Sequence, residues 1–210
     1  MSGIKTTDKI TISISIFALL VSFAALFYTI KRDIDLEREA QHQTYKRSYN
    51  LGKQFYITWV GYTQVKSGDS ELKTILSNDI ARLNALAEFM SLKVDFNKLL
   101  GNSELVTSYL SNPATHIAES IKSIYGADTS EAFWLAYWLE YLRLNGELAK
   151  NNEEKKADFI VKWPVFAKSL RTASRATGVT ISVPDEIQTL DGALQEVTKY
   201  MRYVESEWEI

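Results

Sequence analysis

The side chains in this chain that could carry chemistry are few. Histidine occurs only at 42 and 116 and cysteine nowhere, which excludes thiol catalysis, disulfide frameworks and zinc ribbons. His116 has Glu119 three residues later, a spacing that supplies two metal ligands on a helix. A site needs at least one more, and none is identifiable, so His116 reads as a polar residue of a first helical turn. His42 lies in a charged stretch and reads as solvated. The nine glycines are dispersed singly, and neither the phosphate-loop nor the dinucleotide-binding fingerprint occurs. Ser120-Ile121-Lys122-Ser123 and Ser91-Leu92-Lys93 miss the nucleophile patterns, and Ser67-Gly68-Asp69-Ser70 is explained by a turn and a cap. Glu140 stands out because it interrupts the most hydrophobic soluble segment. It is either an ionisable group in a cleft, paired with Arg143, or the one solvated edge of its helix, and the second reading is favoured. Catalysis is therefore the weaker expectation; no catalytic residue, no metal ligand and no cofactor is assigned.

The elements that would position these groups are helical. Tyr45, Tyr49, Leu51, Phe55, Tyr56, Trp59 and Val60 recur at helical spacing, and Ser67-Gly68-Asp69 should end that helix. Ser70 is a candidate cap of the next, whose apolar residues are Leu72, Ile75, Leu76, Ile80, Leu83, Leu86, Phe89 and Met90. Gly101-Asn102 breaks the chain, a short helix follows from Ser103, and another spans roughly 113–125 with Ile117, Ile121 and Ile124 inward. Asp128-Thr129-Ser130-Glu131 resembles a capping box. It opens FWLAYWLEYLRL (133–144), apolar nearly all round and so the expected central helix of a bundle. This stretch is too short and too charged, with Glu140 and Arg143, to cross a membrane. Trp163-Pro164 should kink or break the next helix, which ends at Gly178. Val179–Val183 alternates but has no partner strand, so it reads as a connection. The last helix is expected from Pro184-Asp185, with Ile187, Leu190, Leu194, Val197, Met201, Val204 and Trp208 in a strict 3-4 alternation. That seam suits either a coiled coil or a helix packed along a long neighbour within its own bundle, the second being favoured.

Composition bounds the rest. The chain has 210 residues, 46% hydrophobic and 24% charged, ordinary values for a folded domain. Only Lys5, Lys9 and Asp8 carry charge before residue 30, leaving 22 basic against 25 acidic side chains beyond it. With no basic excess, no nucleic acid partner is expected.

Ile10–Ile30 reads ITISISIFALLVSFAALFYTI, without a charge, between Lys9 and Lys31-Arg32. As a helix it would span roughly the 30 Å hydrocarbon core of a bilayer. It is longer than a signal-peptide core and has no cleavage site, so retention is expected. Positive charge is denser after the run than before it, which favours a cytoplasmic C-terminal domain. Ser15, Ala18, Ser22, Ala25 and Thr29 line one face of the run, a pattern that lets transmembrane helices approach one another. Residues 31–48 hold nine charges and should continue the helix as a solvated stalk, with Asp35 and Glu39 reaching basic partners on their own face.

Residues 5–39, KTTDKITISISIFALLVSFAALFYTIKRDIDLERE, resemble a group of bacterial single-pass membrane proteins. In that group a short Ser/Thr-rich N-terminus precedes an apolar run, a basic pair and a charged helix. Several are uncharacterised and some sit among phage-defence genes. The resemblance implies a membrane address and no catalytic or binding residue.

The expectation is an all-α protein. Residues 1–9 form a tail, 10–30 a transmembrane helix, 31–66 a juxtamembrane stalk entering the bundle, and 67–210 a soluble helical bundle. Its partners would be the lipid bilayer, an unidentified protein and a second copy of itself, and it would act as an adaptor or effector subunit at the cell membrane. One alternative is an oligomeric pore-forming effector, with Ser13, Ser15, Ser22 and Thr29 along a polar path. Another is a tethered enzyme using Glu140 or His116.

Overall fold

The computed structural model describes the backbone of residues 6–64, 70–101 and 113–210, and side chains over 19–61, 75–100 and 113–210. It is all-helical, with no strand among the described residues. The helices are α1 (Thr6–Gln64), α2 (Ser70–Phe89), α3 (Phe96–Gly101), α4 (Ala114–Tyr125), α5 (Ala127–Ala149), α6 (Glu153–Ala176) and α7 (Leu190–Glu207). The turn expected at 67–69 and the short helix expected from Ser103 lie outside the described residues. The chain divides into two compact units, Met1–His42 and Gln43–Ile210.

In the first unit α1 runs without interruption, as a stretch with no proline and no glycine between 4 and 51 allows. Every described side chain from Leu19 to Gln43 is exposed. Among the described residues no helix is long and apolar enough to cross a membrane. The side chains of 10–18, nearly half of the expected span, lie outside the description.

The second unit is a bundle built around α5. This helix is buried on several sides because its sequence is apolar nearly all round: Leu135, Ala136, Leu139 and Leu142 face one core, Phe133 and Tyr137 another. The first core adds Tyr45 and Tyr49 of α1, Phe159, Trp163, Ala167 and Leu170 of α6, and the buried face of α7. The second adds Leu51, Phe55 and Tyr56 of α1 with residues of α2, α3 and α4. Each large aliphatic or aromatic side chain buried this way stabilises the fold by roughly 1.5–3 kcal/mol. The segments of α1 and α5 lie against each other at Gly52, where a Cβ would collide with the Phe133 carbonyl oxygen and crowd the Ala136 methyl.

Several local expectations are corrected. Ile124 is 50% exposed rather than inward, because α4 ends one residue later at Tyr125 and Gly126, with a φ of 92°, turns the chain into α5. The capping box is absent. Gly126 takes the cap position with no side-chain bond, and Asp128 falls inside the first turn. Glu131 then faces a like charge: partial burial and Asp128 both raise its carboxyl pKa. Pro164 does not break α6, which continues through it to Ala176. The proline lies on the exposed side, where solvent can take the freed carbonyl. The last helix starts at Leu190, not near Pro184: Thr189 caps it, its hydroxyl accepting from the Gly192 amide at 3.1 Å.

The connection before α7 is extended and works as a staple. Val179, Ile181 and Val183 are buried, while Thr180 and Ser182 are exposed. Its carbonyls are held from both neighbouring helices. Tyr200 Oη donates to Ser182 O (2.6 Å), Arg171 Nη1 to Val183 O (2.8 Å) and Trp163 Nε1 to Pro184 O (2.9 Å).

The close approach at Gly52 sets a test. Gly→Ala in a helix interior ordinarily gains about 1 kcal/mol. Here the collision reverses the sign, and Gly52→Ala should destabilise the bundle by about 2 kcal/mol or more in urea titration. Gly146→Ala, whose Cβ would meet the Leu194 Cδ2 at 2.5 Å, should cost less, because the end of a leucine side chain can rotate.

Candidate functional site

Two features of α1 stand apart from an ordinary bundle. The first is the bare helix of the first unit. Leu19, Leu20, Val21, Phe23, Leu26, Phe27, Tyr28 and Ile30 are all exposed, Phe27 at 74%. Of the predicted association face, Ser22, Ala25 and Thr29 are exposed, and the Ser15 and Ala18 side chains lie outside the description. Thr29 Oγ1 donates to the Ala25 carbonyl at 3.0 Å, one turn back, so this hydroxyl is satisfied within its own helix. Beyond the run, Asp35 and Glu39 do not form the ion pairs expected of them; no ion pair involves residues 31–39 among the described residues. Fully hydrated side chains gain too little from such pairs to hold one geometry.

The second feature is the polar cluster where α1 is seated in the bundle. Lys53 Nζ pairs with Glu205 of α7 at 2.6 Å, both groups partly buried. Lys46 Nζ donates to the Glu209 carbonyl, and Trp208 packs edge-on against Tyr49, ring centroids 5.3 Å apart. Ser48 Oγ donates to the Thr129 carbonyl of α5 at 2.6 Å. Glu140, favoured above as a solvated edge, is 2% exposed and accepts from Arg143 Nε at 2.8 Å. The apolar surroundings do not exclude a charge there because the guanidinium of the next turn neutralises it while still reaching solvent.

Tyr49 is the residue that sequence reasoning missed. Its side chain is fully buried and its hydroxyl has no hydrogen-bond partner among the described residues. Burial, then the negative charges of Glu205 and Glu140, push its pKa upward. Spacing marked Tyr49 only as a core position, and nothing in the sequence distinguishes a paired from an orphaned phenol. Tyr56 resolves the same problem differently: its oxygen accepts from Asn145 Nδ2 at 2.7 Å.

The remaining candidates are dispersed. His42 and His116 are exposed, and no group of three or more His, Asp or Glu side chains converges among the described residues. The C-terminal seam is covered by the chain's own bundle: Leu190, Leu194, Val197, Met201, Val204 and Trp208 are buried, and Ile187 lies half-buried before the helix. Two open clefts of about 590 and 540 Å³ share Lys150 and Asp191 beside the start of α7. Their lysines are largely neutralised, Lys150 by Glu147 and Lys156 by Glu153, each at 2.6 Å, and Lys199 by Glu196 at 3.5 Å.

No family model, no curated protein and no solved structure matches this chain.

The cluster predicts opposite effects for two neighbours. Tyr49→Phe removes an unpaired buried hydroxyl and should stabilise the bundle by up to about 1 kcal/mol. Arg143→Ala strands the Glu140 carboxylate and should cost about 3 kcal/mol, whereas breaking the exposed Asp158–Lys162 pair with Lys162→Ala should leave the unfolding midpoint almost unchanged. Chemical denaturation of the three variants measures the order.

Proposed function

We propose that this chain is a single-pass membrane protein whose helical bundle acts through protein–protein contacts, as an adaptor or effector subunit rather than a catalyst. The observation that carries the reading is the uncovered apolar surface of α1 between Leu19 and Ile30. Leaving such a run in water forgoes on the order of 10 kcal/mol of burial free energy, comparable to the whole net stability of a domain. A bilayer covers all sides of a helix at once, and the charge-free interval between Lys9 and Lys31-Arg32 has the length a bilayer needs. The denser positive charge after the run favours a cytoplasmic bundle.

The rival readings find less support. A polar path along the anchor needs hydroxyls free to face water, and Thr29 returns its own to Ala25. An enzyme built on Glu140 needs that carboxylate accessible, and it is buried and held by Arg143.

Flotation followed by alkaline carbonate extraction tests the proposal. The natural chain should remain with the membranes. The double variant Leu20→Lys/Phe23→Lys adds about 6–8 kcal/mol to the cost of insertion and should move to the soluble fraction. Release of the natural chain by carbonate would contradict the reading.

A further inference from the structure

The bare helix is not uniform around its axis. Leu20, Phe23, Phe27, Ile30 and Ile34 recur at 3-4-3-4 spacing and are all exposed, forming a bulky stripe opposite the small-residue face of Ser22, Ala25 and Thr29. In heptad terms Leu20, Phe27 and Ile34 take one seam position and Phe23 and Ile30 the other. The two faces end differently. The small face gives way to Arg32, the next residue in its series. The bulky stripe crosses the level of Lys31-Arg32 and continues to Ile34, which is 45% exposed. Within lipid neither face has a hydrophobic reason to pair; at Ile34, beyond the basic pair, one does.

Flanking charge selects the occupant. Asp33 and Arg38 take the two positions that meet across the seam of a parallel pair, one residue before the Ile34 seam position and four residues after it. Neither is in an ion pair among the described residues. In a symmetric parallel dimer each chain's Asp33 faces the other's Arg38, giving two complementary pairs. One level earlier the corresponding positions hold Leu26 and Lys31, so no like charges meet. Glu37 occupies the next seam position and ends the apolar contact. A membrane span enforces the parallel arrangement, since all copies insert with the same orientation.

We propose that α1 pairs with a second copy of this chain through Leu20, Phe23, Phe27, Ile30 and Ile34, closed at its water-exposed end by reciprocal Asp33–Arg38 contacts. This inference rests on the membrane-anchored reading and names its partner.

The chain has no cysteine, so single cysteines report cleanly on oxidative crosslinking of the full chain in membranes. Ile34→Cys should give a strong disulfide-linked dimer, and Arg32→Cys and Leu36→Cys, on other faces, far less. Adding Arg38→Glu to Ile34→Cys should lower the yield by roughly fivefold, and adding Asp33→Arg as well should restore it. Equal crosslinking at all three positions, a maximum at Arg32→Cys, or no dimer at Ile34→Cys would overturn the pairing when the protein stays in the carbonate-resistant membrane fraction. Recovery of these proteins in the soluble fraction would instead overturn the anchoring reading, and the pairing with it.

Discussion

One helix of this protein carries apolar side chains in two environments. Between Tyr45 and Tyr56 they are buried in the bundle, and between Leu19 and Ile30 they are exposed among the described residues. Exposed apolar surface of that size is characteristic of a site that meets a partner or a lipid phase. The bundle does not need it: α5 fills the centre, and Val179, Ile181 and Val183 close the side between α6 and α7. The bare run is therefore not part of the described bundle core, and the membrane-anchored proposal assigns its cover to lipid.

The way α1 is seated suits that division. Gly52 lets its backbone meet α5 at Phe133, and Lys53 and Lys46 tie it to Glu205 and Glu209 of the C-terminal segment. The seat is not optimised for stability. It holds an unpaired phenol at Tyr49 and a buried acid at Glu140, where apolar side chains of the same size would be no worse.

Much of this was legible in the sequence because helical periodicity records which face is buried. The 3-4 spacing of α7 and the all-round apolarity of α5 marked their places in the core. The alternation of Val179–Val183 marked an extended connection, and the structure buries its three apolar residues. What failed depended on groups distant in sequence or on exact helix ends. The start of α7 was decided by the Thr189 hydroxyl and not by Pro184, and a cap read at Asp128 was displaced when Gly126 turned the chain. Glu140 was misread because burial beside Arg143 depends on α1 and α7 closing over α5, which no local pattern encodes. Tyr49 was invisible as a polar site for the same reason: spacing locates a ring and says nothing of what its oxygen meets.

In the proposed membrane-anchored state, lipid covers α1 between Leu19 and Ile30. Single cysteines placed at Phe23, Phe27 and Gln41 of the cysteine-free chain, probed in intact vesicles with a membrane-impermeant maleimide, test it most directly. Phe23→Cys and Phe27→Cys should stay unlabelled until detergent is added, while Gln41→Cys labels at once when the cytoplasmic face is outward. Immediate labelling of all three would contradict the account.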